Sequence, residues 1–177
     1  MERPKLTHKQ DYQVRCIMSH GIKAELPLGN PNHYVAFDPG EGTGWATFGE
    51  NGKPTNYGNV YDDATGIYRF LNGGLDLSQG VPQVVIYENW RLLKPKEMYG
   101  STLRTVQTVG VIRGWATHIG AKIISQEPAL NQGNEKESGL KPEGPHSNQH
   151  WVLAFNHGWH YLTAEKIVVP RILWPEG

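Results

Sequence analysis

A single cysteine, Cys16, stands in 177 residues, which excludes an internal disulfide framework. Excess charge of either sign is also missing. Lys plus Arg and Asp plus Glu both number 17, with a pI near 7.1, so no global field points to a nucleic-acid partner and only local patches can carry such a contact. No apolar run approaches membrane-spanning length and nothing has the make-up of a signal peptide. The expectation is a reduced, cytoplasmic setting without membrane contact. Aspartate, finally, is absent after Asp76.

The length suits one well-cored domain and is short for two. Residues 1–31 read as an extension with Arg3, Lys5, Lys9, Arg15 and Lys23 set against Glu2, Asp11 and Glu25. They lead through Leu26-Pro27-Leu28-Gly29-Asn30-Pro31 into the domain, assigned to residues 32–166, with a tail at 167–177. His8, Cys16 and His20 match no standard zinc spacing. The six tryptophans and eight tyrosines are read as core or groove-wall residues unless they cluster beside a charged site.

Two stretches carry the chemistry. In the first, the apolar run Tyr34-Val35-Ala36-Phe37 ends in Asp38, Pro39-Gly40-Glu41-Gly42-Thr43-Gly44 turns the chain, and Trp45, Ala46 and Phe48 start a second run. This is a β-hairpin pattern. Asp38 is either a turn cap or, at the end of a buried strand, a carboxylate needing a cation. In the second, Val84-Val85-Ile86 is typical of a strand buried on both faces, and Glu88 follows as it ends. Two buried strands that each end in a carboxylate favour a shared metal site at the strand ends.

The remaining elements frame that site. A third strand at 55–60 follows the Asn51-Gly52 turn, giving an antiparallel meander. A short amphipathic helix at 63–78 holds Ile67, Phe70, Leu71 and Leu75 and is ended by Gly73-Gly74. Residues 91–99 form a Pro-broken loop with Arg91, Lys94 and Lys96, suited to a phosphate backbone beside a metal site. A helix over 101–118 is predicted to bury a stripe of Leu103, Val106, Val109, Ile112, Ala116 and Ile119, with Gly110 and Gly114 allowing close packing. A strand follows at 122–127 and a polar loop at 131–145. The last helix, at 147–163, has an apolar face of Trp151, Val152, Phe155, Trp159 and Leu162. His150 and His157 fall on one side of it; His150 is the expected ligand, and His157 reads as an ordinary hydrogen-bonded histidine.

Val35-Ala36-Phe37-Asp38-Pro39-Gly40 with Thr43-Gly44-Trp45-Ala46, then Val84-Val85-Ile86-Tyr87-Glu88, then a last helix with His150, Ala154, His157 and Tyr161, resembles the RuvC-like Holliday junction resolvases of the RNase H-like nuclease superfamily. Residues 88–92 followed by 105–114 look most like bacteriophage-encoded members. The likeness spans about residues 34–162. It implies an α/β, RNase H-like fold with a five-stranded mixed sheet flanked by helices, a homodimer, and two Mg²⁺ or Mn²⁺ ions held by four acidic or histidine groups. By the same resemblance Asp38 bridges the metals, Glu88 is the second ligand, and His150 matches the last-helix position that holds Asp or His. The family's further Asp one turn later is Leu153 here. Asn148, isosteric with Asp but a weak partner for a hard cation, His146, Glu143, Glu127 or a water are the alternatives.

The expected activity is two-metal hydrolysis of a DNA phosphodiester at four-way junctions, with His150 as general base or water-orienting group. Arg91, Lys94, Lys96 and Arg104 are the expected phosphate contacts. A related nuclease on branched DNA or RNA–DNA hybrids, and a junction-binding protein that has lost catalysis, are the competing readings.

Overall fold

The computed structural model describes residues 33–40, 42–77, 80–89, 101–127 and 150–168. The extension at 1–31, the basic loop 91–99, the loop 131–145, His146 and Asn148, and the tail from 169 onward lie outside the described residues.

The apolar runs of the sequence are the strands of one five-stranded sheet. Strands β1 (Tyr34–Asp38), β2 (Thr43–Phe48), β3 (Pro54–Val60), β4 (Val84–Glu88) and β5 (Lys122–Gln126) are ordered β3-β2-β1-β4-β5. The meander β1-β2-β3 is antiparallel, whereas β1 pairs with β4, and β4 with β5, in parallel. This is the mixed sheet expected. Asn51-Gly52 makes the β2–β3 turn, with Gly52 at φ +74°, a conformation glycine adopts without a side-chain clash. Pro54 opens the edge strand β3, where its missing N–H is tolerated.

Among the described residues, three helices cover the sheet. Asp63 starts α1 (Ala64–Arg69) by accepting bonds from the amides of Thr65 and Gly66. A single π turn, Phe70–Gly74, then ends the element, Leu75 N–H donating to the Phe70 carbonyl at 2.7 Å. Helix α2 (Ser101–His118) links β4 to β5, and α3 (His150–Ala164) comes last. None of the described helices is long and apolar enough to cross a membrane.

Each sheet face has its own core, because alternate strand residues point to opposite sides. Val35, Phe37, Trp45, Val85 and Tyr87 pack against Ile67 and Leu71 of the α1 segment and Ile112, Trp115 and Ala116 of α2. Tyr34, Ala36, Ala46, Phe48, Val84 and Ile86 pack against Phe155, Trp159, Tyr161 and Leu162 of α3. Gly158 sets how near α3 comes. A Cβ there would press into the Phe48 ring and lie 3.2 Å from Ala36 Cβ.

The expected stripe on α2 is rotated. Leu103 and Val106 are exposed, at 56% and 41%, while Thr105 and Thr108 are buried with Ile112, Trp115 and Ala116. Trp115 has the most apolar surface to hide, and burying it turns the same side of the preceding helical turns, Ile112, Thr108 and Thr105, inward with it. Close packing at Gly110 and Gly114 is also not observed. A Cβ on either would meet no described atom within 4 Å.

Candidate metal centre

The alternation that builds the core also builds the site. Ala36, Ile86 and Ile124 face α3, so two residues further along their strands Asp38, Glu88 and Gln126 face it too. Phe37 is in register with Tyr87, and Glu88 with Gln126. Three polar side chains therefore stand side by side at the carboxyl ends of β1, β4 and β5, where ligands gather in open α/β sheets.

Helix α3 sends two histidines into this row. At its first turn, His150 Nδ1 lies 2.6 Å from Asp38 Oδ2. Two turns on, His157 Nε2 lies 2.9 Å from Glu88 Oε2 and its Nδ1 lies 2.7 Å from Gln126 Oε1. His157 has no exposed surface, and Gln126 is 6% exposed.

The helix start is held from β3 and β2. Trp151 N–H donates to Asn59 Oδ1 at 2.9 Å, satisfying one of the amides a helix N-terminus leaves open, and Tyr57 stacks on Trp151 with centroids 4.3 Å apart. A Cβ on Gly44 would fall on the backbone of His150, and one on Gly40 would lie 2.7 Å from His150 Cε1. These two glycines of the hairpin make room for the histidine.

Burial is the largest influence on Asp38 and holds its carboxyl above the usual carboxylate range; the hydrogen bond from His150 pulls the other way, and the charge of Glu88 adds to the rise. Two carboxylates this close, one of them buried, call for positive charge. One ligand atom from each of Asp38, Glu88 and His157 lies within 4.8 Å of the others. Two hard carboxylate oxygens and an imidazole nitrogen form a donor set that suits a divalent ion such as Mn²⁺ or Mg²⁺.

The structure brings together Asp38, Glu88 and His150, all three singled out in the sequence, and adds His157 and Gln126. His157 sits among Phe155, Gly158 and Trp159, a setting indistinguishable from core; its seven-residue spacing from His150 was the available signal. Gln126 ends its strand as Asp38 and Glu88 end theirs. Glu127 is exposed and outside the cluster, and Leu153, where the resemblance has an acid, is half-buried. Arg104 lies near the start of α2, on the helix layer across the sheet from α3, where its charge helps to lower the Asp63 carboxyl. Arg91, Lys94, Lys96 and Asn148 lie outside the described residues.

No protein-family model matches this chain, and no curated protein matches it significantly. Among solved structures it is similar to T. thermophilus RuvC in complex with a Holliday junction substrate, at 15% identity over 75% of this chain and 94% of that one, with a TM-score of 0.52. It is also similar to the Thermus thermophilus RuvC structure, at 14% identity, 76% and 96% coverage and a TM-score of 0.50. A further match is the fowlpox virus Holliday junction resolvase, at 15% identity, 74% and 98% coverage and a TM-score of 0.46. With its mixed five-stranded sheet and its helices on both faces, the chain has the RNase H-like fold of the RuvC structures.

Proposed function

We propose that this chain is a metal-dependent endodeoxyribonuclease that cuts four-way DNA junctions. The observation that carries the reading is the pair Asp38 and Glu88 at adjacent parallel strand ends, with His157 in reach of both, in a fold shared with a RuvC bound to a Holliday junction. Asp38, Glu88 and His157 would hold the metal, with His150 bracing Asp38. Mg²⁺ or Mn²⁺, as a pair in the resemblance, supplies activation of the attacking water and neutralisation of charge on the phosphate when bound.

The chain's own groups do the rest. His150 is partly exposed, at 18% of its side chain, so it exchanges protons with solvent. With Nδ1–H donated to Asp38, its basic atom is Nε2, the position of a general base. Arg104, together with Arg91, Lys94 and Lys96 of the basic loop, would grip phosphates and give a salt-dependent affinity. A second copy of the chain would dock on α2, whose outer face carries exposed Leu103 and Val106 beside the open Gly110 and Gly114. Two sites related by a two-fold axis suit the symmetric strands of a junction.

Leu153 favours the competing reading of a junction-binding protein without cleavage, since a leucine cannot bind a cation. End-labelled four-way junction, duplex and RNA–DNA hybrid, incubated with the protein and Mg²⁺ or Mn²⁺, separate the readings. Paired junction nicks that vanish with EDTA, Asp38→Asn or Glu88→Gln support the nuclease. Tight binding without nicks assigns the chain as a binder, and preferential hybrid cleavage reassigns the substrate.

A further inference from the structure

Both ring nitrogens of His157 are engaged by described side chains: Nδ1 by Gln126 and Nε2 by Glu88. Its surroundings are closed, with no exposed surface on the ring. A buried imidazole cannot trade one proton position for the other through water, so its partners decide which nitrogen carries hydrogen. Gln126 Oε1, 2.7 Å from Nδ1, and Glu88 Oε2, 2.9 Å from Nε2, are both acceptors without a proton of their own, so each can hold a ring N–H. A cation that takes the place of hydrogen at Nε2 leaves the Nδ1–H···Oε1 bond intact. With Nδ1–H held by Gln126, the ring offers its Nε2 lone pair to such a cation. Nε2 is the ring atom beside Glu88, 2.9 Å from its Oε2, and a His157 ring nitrogen lies within 4.8 Å of oxygens of both Asp38 and Glu88.

We infer that Gln126 is a positioning residue: by holding the His157 proton on Nδ1 it presents Nε2 as a nitrogen donor to the divalent ion between Asp38 and Glu88. The inference rests on the metal-centre reading above and adds a residue that touches no ion itself. The same division of labour operates wherever a ligating histidine hands its other N–H to a carboxylate or carbonyl. Here an amide does so, and it reaches the ring because β5 ends in register with β4, Gln126 beside Glu88. A carboxamide also adds no negative charge to a row that already holds two carboxylates.

The test combines ring spectroscopy with direct metal binding. In ¹⁵N-labelled protein saturated with Mg²⁺, long-range ¹H–¹⁵N spectra should find His157 with its proton on Nδ1 and none on Nε2. Isothermal titration with Mn²⁺ should give roughly 10- to 100-fold weaker binding in Gln126→Leu, the usual loss when such an outer partner is removed. Gln126→Glu, which keeps an acceptor for Nδ1–H, should restore at least the unmodified affinity. A proton on Nε2 in the unmodified protein, which needs no variant to fold, overturns the inference. So does a folded Gln126→Leu variant that binds Mn²⁺ as tightly as the unmodified chain. Unmodified protein that takes up no Mn²⁺ at millimolar concentration overturns the metal-centre reading itself, a different result from binding that ignores Gln126.

Discussion

Gly44 of β2 and His150 of α3 meet backbone to backbone: a β-carbon on Gly44 would occupy the place of the His150 carbonyl. Gly44 is also the register partner of Asp38, the residue His150 bonds. Gly44→Ala is therefore expected to lift the first turn of α3 and break the 2.6 Å contact. Overpacking of this kind costs about 1–3 kcal/mol. Urea denaturation should register that loss, and Mn²⁺ titration should weaken at least tenfold; unchanged metal affinity would contradict the placement of His150.

Asp38→Asn should make the metal-free protein more stable while removing cleavage. Burial raises the Asp38 carboxyl above its ordinary value, so the stability this group contributes is present below its unfolded value, about 4, and is lost as pH rises through the raised folded value. In EDTA the unmodified chain should thus lose stability with rising pH across that window, and the Asp38→Asn variant should not. At neutral pH a gain in Tm of about 2–4 °C corresponds to 1 kcal/mol in a chain of this size. Added Mn²⁺ should reverse the order, because only the carboxylate form gains from the ion.

Arg104 sits near the start of α2, on the helix layer across the sheet from α3 and near Asp63. Replacing it with Ala should weaken junction and duplex binding by a similar factor, without changing which structure is preferred. A phosphate contact also predicts that the slope of log affinity against log salt shrinks by about 1. Fluorescence anisotropy across a salt series reads both quantities. An unchanged slope would remove Arg104 from the set of phosphate contacts.

Leu103 and Val106 lie on the outer face of α2. Val106→Glu places a charge in the middle of that face and should shift sedimentation velocity from dimer to monomer at micromolar concentration. The fold should be retained, since position 106 is 41% exposed in the single chain. A monomeric unmodified protein would end the dimer proposal.

Asp38 and Glu88 were legible in the sequence because each follows a run of β-branched or aromatic residues, and an acid that ends a buried strand has no apolar reason to be there. His150 was legible as a polar residue at a helix start. His157 was legible only as a histidine two turns after His150 on the same side of the helix, and Gln126 was not legible, because it matters only once β5 lies beside β4. The rotation of α2 was hidden for a similar reason. Val106 outranks Thr105 and Thr108 in hydropathy, yet Trp115, which must go inside, decides which face follows it.

The two histidines share one helix, seven residues or ~10 Å apart along its axis. Each is clamped to a different strand, His150 to β1 and His157 to β4. A rod pinned at two points has little freedom to pivot, so tilting or sliding α3 strains both clamps together. A displacement of that helix would therefore be felt at both carboxylates, Asp38 through His150 and Glu88 through His157.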